Sequence, residues 1–334
     1  MQAASRNGLP GNSNPGSDGA ATPQGGDPGW RRWWIYQRER FPVFAHGPLI
    51  LAFSFSAVSF SSLLRGDVTF PDGASLTVAF VTSFLFFLQL RIADEFKDAD
   101  EDARFRPYRP VPRGLVSLRE LGWVFAGAAL LQLLLAWLLA PGLVVVLSVA
   151  WTYLALMSRE FFARRWLKAR PVTYLWTHML ILPLVDLHAT ACDWLPAGRV
   201  APPEGLIWFL VVSFLNGVVI EFGRKLRAPR DEEPGVETYT FLWGPHAAVS
   251  VWWIALLATG LTAWLAARRI DFAIPVTILM VVLLLFAALI AWRFLKQPNF
   301  SRAKMFETFS AVWTLLMYLQ LGTLPLLLCL AQAP

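Results

Sequence analysis

Charge is scarce in this chain. Asp, Glu, Lys and Arg make up 16% of its 334 residues, whereas a soluble domain carries about a quarter, so a water-soluble globular fold is excluded. Cysteine is scarcer still. Cys192 and Cys329 stand alone and far apart, which rules out a thiolate metal cluster or a paired redox motif. No Gly-rich phosphate loop and no Ser/His/Asp grouping is present. Residues 1–30 are rich in Gly, Ser, Asn and Pro and lack the apolar core of a signal peptide; they read as a disordered cytoplasmic tail.

What the chain has instead is apolar length. Hydrophobic residues are 56% of the total, with 25 Phe and 16 Trp, and the mean hydropathy is +0.49. Long Leu/Val/Ala/Phe runs mark an integral membrane protein of the cell inner membrane or plasma membrane. The net charge of +6 is no nucleic-acid footprint, because the Lys and Arg residues bracket apolar segments. Residues 31–45 mix Trp33, Trp34 and Tyr36 with Arg31, Arg32, Arg38 and Arg40, as an amphipathic segment at the membrane interface does.

Apolar segments at about 46–64, 76–92, 120–139, 142–158, 172–190, 206–221, 245–267, 272–292 and 307–330 predict nine transmembrane helices. Pro183 should kink the fifth, and Gly244-Pro245 reads as a helix start. All basic residues but Arg65, Arg199, Arg268 and Arg269 fall on one side of this division. The positive-inside rule then places the N-terminus in the cytoplasm. The expected fold class is all-α and polytopic, with residues 46–330 as one nine-helix membrane domain.

Chemistry should sit where charge interrupts the grease. Residues 91–109 read RIADEFKDADEDARFRPYR. Asp94, Asp98 and Asp102 are four apart, so in a continuous helix they would line one face over roughly 12 Å. Three stacked like charges call for cations, and hard oxygen ligands suit Mg²⁺ shared with substrate phosphates. A plain solvated helix end with Lys97–Glu101 and Asp100–Arg104 surface pairs is the blander account. Arg106, Arg109 and Arg113 follow, spaced by Pro107, Pro110 and Pro112, on a segment expected to be stiff, extended and folded back toward phosphate oxygens. Metal and arginine together are what a departing diphosphate requires.

A second polar stretch ends the sixth span. Asn216 lies within it and Glu221 at its end, followed by Arg224 and Lys225, then Asp231, Glu232, Glu233 and Gly235. Glu221 and Asp231 are candidate metal ligands here, with Arg224 and Lys225 as phosphate contacts. The two stretches lie four spans apart in equivalent cytoplasmic loops and could grip one diphosphate between them.

At these residues the chain resembles the UbiA superfamily of intramembrane prenyltransferases. Asp94-Glu95-x-x-Asp98-x-x-x-Asp102, followed by Arg109-Pro110-Val111-Pro112-Arg113-Gly114, looks like the family's Asn-Asp-x-x-Asp-x-x-x-Asp and its Arg-Pro-Leu-Pro-type segment. The second hallmark, Asp-x-x-x-Asp-x-x-x-Gly, is met by Asp231 and Gly235, while Arg227 stands at its first Asp; Glu221 is the candidate replacement. The resemblance implies nine helices around a cavity open to lipid. It also implies Mg²⁺-dependent transfer of an isoprenyl group from a polyprenyl diphosphate to a small, aromatic acceptor, through an allylic carbocation shielded from water. Tyr153, Met157, Trp176 and Asn216 become expected pocket residues. An intramembrane terpene cyclase, or transfer to a lipid or sugar-phosphate acceptor, is the alternative; a transporter on the same fold is a third class. Arg159-Glu160 reads equally as an interfacial ion pair or as a contact to the site. His178, His246, Asp186, His188 and Asp193 read as locally hydrogen-bonded polar groups without a metal role.

Overall fold

A computed structural model describes residues 29–232 and 238–332. Every regular element among them is helical: α1 (Gly29–Arg40), α2 (Val43–Leu64), α3 (Gly73–Lys97), α4 (Ala99–Phe105), α5 (Leu118–Leu139), α6 (Leu143–Ser158), α7 (Arg164–Lys168), α8 (Pro171–Met179), α9 (Ile181–Trp194), α10 (Leu206–Arg224), α11 (Tyr239–Ala267), α12 (Ala273–Lys296), α13 (Phe300–Tyr318) and α14 (Leu324–Gln332). Eight helical stretches are long and apolar enough to cross a membrane, counting Pro171–Trp194 and Phe300–Gln332 as one each; Leu143–Ser158 is a shorter apolar helix. The protein is an all-α, multi-pass membrane protein. The expected tail, residues 1–30, lies almost wholly outside the described residues.

Local sequence accounts for the breaks. Pro183 cannot donate a backbone hydrogen to the carbonyl of Met179, and the helix is interrupted there, at Leu180 between α8 and α9. Within α11 the chain bends at Gly244, whose φ of 79° is open to glycine, so the membrane-crossing part starts at Pro245. The α5 start is held by a capping box in which Ser117 and Glu120 satisfy each other's backbone donors. Between α13 and α14 a π-turn at Leu319–Thr323 lets Gly322 lie directly against the backbone of Ser56 on α2.

The packed core is not evenly spread. On α2, only Ile50 is buried among residues 43–51, whereas from Phe53 to Ser62 only Phe55 is not. The half of the bundle away from α1 is therefore tightly closed, by α2 against α9 and the π-turn. That end is pinned by Arg65, whose guanidinium grips the Asp193 carboxylate at 2.7 and 2.9 Å while Ser61 donates to the same group. Deeper polar groups join helices. Tyr318 donates to Asp186 at 2.8 Å and to Ser213 at 3.1 Å, linking α13 to α9 and α10, and His188 meets the Thr82 hydroxyl at 3.2 Å. Asp186, His188 and Asp193 thus have three separate partners. Both cysteines are free.

The other half of α2 is open and faces the polar end. Here α1 packs through Tyr36 on Ile92, Leu115, Val116 and Leu121, and its ion pairs Arg40–Glu95, Arg32–Glu120 and Glu39–Arg113 tie it to α3, α5 and the intervening loop.

Candidate active site

The acidic stretch does not form one helix. α3 ends at Lys97, Asp98 sits at φ −99° and ψ 7°, and α4 restarts at Ala99. Restarting puts Asp100, Glu101 and Asp102 in the first turn of a new helix, where the backbone dipole favours negative charge. A continuous helix would have stacked Asp94, Asp98 and Asp102 as unrelieved like charges. The break also abolishes the surface pair expected between Lys97 and Glu101. Glu101 instead joins Arg164 and Lys168 of α7, and that cationic pair holds its carboxyl below the usual range.

The three aligned carboxylates therefore part company. Asp94 stays half-exposed, loosely paired with Lys97 at 3.6 Å and Arg91 at 3.7 Å. Burial, then the neighbouring Asp94 and Asp102 charges, push the Asp98 carboxyl above its ordinary range, against the pull of Lys97. Asp102 is 2% exposed and held by Arg109 and, at 3.4 Å, by Arg106. The proline-spaced segment is a run of tight turns rather than an extended strand, with backbone bonds from Arg109 to Arg106 and from Arg113 to Arg109. Pro107, Pro110 and Pro112 each suit a turn position. Folding back aims Arg109 at Asp102, and Arg113 at Glu39 at 2.9 and 3.0 Å.

The second polar stretch lies at the same end of the bundle. Glu221 sits in the last turn of α10 and is neutralised by Arg224 and by Lys225 at 2.8 Å. Arg224 reaches across to α3: it feels the charge of Asp94, and Arg91 feels that of Arg224. Asp231 follows in a short 3-10 turn at Pro229–Asp231, with its Oδ2 buried and unpartnered. Glu233 and Gly235 lie outside the described residues. Asp94 and Arg91 of α3 thus lie within electrostatic range of Arg224 at the end of α10.

Divalent-metal chemistry is compatible with this donor set in part. The oxygens of Asp98 are free of arginine, those of Asp94 are held only loosely by Arg91 at 3.7 Å, and Asp231 carries an orphaned buried oxygen. Among the described residues no three carboxylate, imidazole or thiolate groups are gathered closely enough to hold an ion alone. A metal here would share its coordination with phosphate oxygens, as Mg²⁺ commonly does.

The expected pocket residues separate. Tyr153 donates to the Thr177 carbonyl at 2.6 Å and packs on Phe161; Met157 is buried. Asn216 is 1% exposed with both amide atoms unpartnered. Trp176 points outward, 45% exposed.

Sequence reasoning missed the group beside Asp94. Lys97 pairs not only with Asp94 on its own helix but also with the Tyr174 hydroxyl at 3.2 Å and Glu160 at 3.8 Å. Glu160 also meets His178 at 3.4 Å. Burial alone would raise the Glu160 carboxyl, but the neighbouring His178 and Lys97 outweigh it and hold the group below its usual range. Of the Arg159-Glu160 pair, Glu160 is buried against Lys97, Tyr174 and His178. The i,i+4 spacing of Tyr174 and His178, whose rings stack at 3.9 Å, was the available signal.

Comparison with known proteins adds the following. The sequence profile of the UbiA prenyltransferase family matches residues 52–316. No curated protein matches the chain. A solved digeranylgeranylglyceryl phosphate synthase in membranes is similar at 15% identity and TM-score 0.59, over 86% of this chain and 97% of that one. A UbiA homolog from Aeropyrum pernix K1, in its apo form, gives 16% identity and TM-score 0.60, over 82% and 95%. At such identities the likeness is one of fold.

Proposed function

The chain belongs to the UbiA prenyltransferase family, and on that footing we propose that it transfers an isoprenyl group from a polyprenyl diphosphate to a small aromatic acceptor within the membrane. The observation that carries this reading is the meeting of two charged rims, from α3 and α10, at the open end of the bundle. Nine spans, with α6 as the short fourth, leave the N-terminus and both rims in the cytoplasm. The apolar tail would lie in a lipid-open cavity beneath the rims, bounded below by the closed half of α2.

Asp94, Asp98 and Asp231 are the groups to hold Mg²⁺ together with the diphosphate oxygens. When bound, the ion supplies positive charge to the departing pyrophosphate. Asp102 and Glu221 act chiefly by holding cations in place. Arg109, Arg113, Arg224 and Lys225 are the phosphate-facing set, with bidentate arginine geometry favouring phosphate over water. The apolar surroundings protect the allylic cation from hydrolysis.

Arg227, at the first acidic position of the second hallmark, favours a second reading: the same ionisation followed by intramolecular cyclisation. One experiment separates the two. Purified protein is incubated with radiolabelled farnesyl or geranylgeranyl diphosphate and Mg²⁺, with and without a membrane extract. Transfer requires the extract for pyrophosphate release, whereas cyclisation does not. Label that never leaves the diphosphate sinks both.

A further inference from the structure

Glu160 is reached through backbone that a chain avoids. Glu160, Phe161 and Phe162 have φ of 50°, 51° and 58° in succession, and none is glycine. A left-handed conformation is unfavourable for an L-residue, and such strain persists where the surroundings over-determine it, often at functional sites. The turn carries the Glu160 side chain inward to 3% exposure, against His178 at 7%.

The imidazole is oriented by its neighbours. His178 Nδ1 lies 2.8 Å from the Tyr174 carbonyl oxygen, which can only accept, so Nδ1 carries the hydrogen. The basic nitrogen is then Nε2, and it faces Glu160 Oε2 at 3.4 Å. Neither atom has another partner, and both are buried. Two lone pairs at this spacing repel each other, while a proton between them makes a charge-assisted hydrogen bond. The pair is built to take up one proton. Lys97 from α3 and the Tyr174 hydroxyl from α8 face the other carboxylate oxygen, at 3.8 and 3.2 Å. Phe161 stands edge-on to the imidazole, with ring centroids 6.3 Å apart.

Position matters as much as orientation. Lys97 pairs with Asp94 at the rim, and Tyr174 binds Lys97. His178 lies one helical turn beyond Tyr174, about 6 Å further toward the hydrocarbon. That is the depth of an allylic carbon whose diphosphate sits among the rim charges.

We propose that the Glu160–His178 pair is the general base of the transfer reaction and receives the proton that the acceptor gives up. The proposal rests on the transfer reading above and names the group that completes it. The C–O bond of the allylic diphosphate breaks, and its electron pair leaves with pyrophosphate. An electron pair of the acceptor forms the new bond to carbon. The acceptor's proton moves to His178 Nε2, and the Glu160 carboxylate stabilises the imidazolium.

The test separates ionisation from capture. Wild type, Glu160→Gln, Glu160→Asp and His178→Asn are given geranylgeranyl diphosphate carrying ¹⁸O at the bridging oxygen, with Mg²⁺ and a total membrane extract. Scrambling of the label into non-bridging positions reports ionisation, and prenylated product reports capture. Glu160→Gln and His178→Asn should lose about 10²–10⁴-fold in product formation, the range of general-base catalysis, while scrambling stays within about threefold. Glu160→Asp, which keeps the charge, should recover more product than the isosteric Glu160→Gln. Equal loss of scrambling and product, no loss of either, or better recovery by Gln than by Asp overturns the base assignment alone. A wild type that never scrambles label overturns the transfer reading, and the base with it.

Discussion

At the scale of single residues, charge and burial sort the candidate ligands. Among the described residues Asp98 has no ion pair and Asp94 only loose ones, whereas Asp102 is held by both Arg106 and Arg109. Replacing Asp98 by Ala should abolish pyrophosphate release while leaving the fold intact, since no ion pair under 4 Å is lost. Product formation at wild-type rate would remove Asp98 from the site. Arg224 faces Asp94 across the gap, so Arg224→Ala should raise the apparent Kd for inorganic pyrophosphate with Mg²⁺ by about tenfold, the worth of one charge-assisted contact. Unchanged pyrophosphate affinity, read by calorimetry, would make Arg224 a partner of Glu221 only. The carboxylate spacing and the cationic run were legible because they are sequence patterns. The pairing of Lys97 with Glu160 was not, because it joins residues 63 apart through a turn that no propensity favours.

Helices show the same division. Every apolar run became a helix close to its expected bounds, since a 20-residue apolar segment in lipid must satisfy its backbone internally. The breaks at Asp98, Leu180 and Gly244 follow from carboxylate repulsion, Pro183 and Pro245. What pattern could not supply is which helices touch. A Cβ on Gly322 would collide with the α2 backbone at Ser56, and one on Gly260 with the flexible end of Met280. Gly322→Ala should therefore lower the unfolding temperature much more than Gly260→Ala, with overpacking of about 1–3 kcal/mol at the rigid contact. Equal melting shifts in detergent would show that the π-turn yields. Glu160 gives a pH counterpart. Its carboxyl is held below its usual range in the folded protein, so it adds stability above that range and loses it as pH falls through its folded value. Wild type should lose unfolding temperature on acidification, and Glu160→Gln should lose less; parallel curves would place Glu160's charge outside the stability balance.

For the whole molecule, the two rims should be bridged when their ligand is present. Mg²⁺ and pyrophosphate together should raise the unfolding temperature, each alone should do little, and Asp231→Ala should demand more Mg²⁺ for the same shift. An additive response to the two ligands would argue against one shared site. Composition and apolar periodicity by themselves determined that this is a multi-pass helical membrane protein, because lipid leaves the backbone few alternatives. The spacing of Asp94, Asp98 and Asp102 by itself marked out the candidate site. Only the tertiary structure decided which charges neutralise one another, that the charged ends of α3 and α10 come within electrostatic range, and that Glu160 turns inward to His178. Such choices rest on contacts between residues far apart in the chain, and a one-dimensional pattern does not encode the few ångströms that separate a free carboxylate from a paired one.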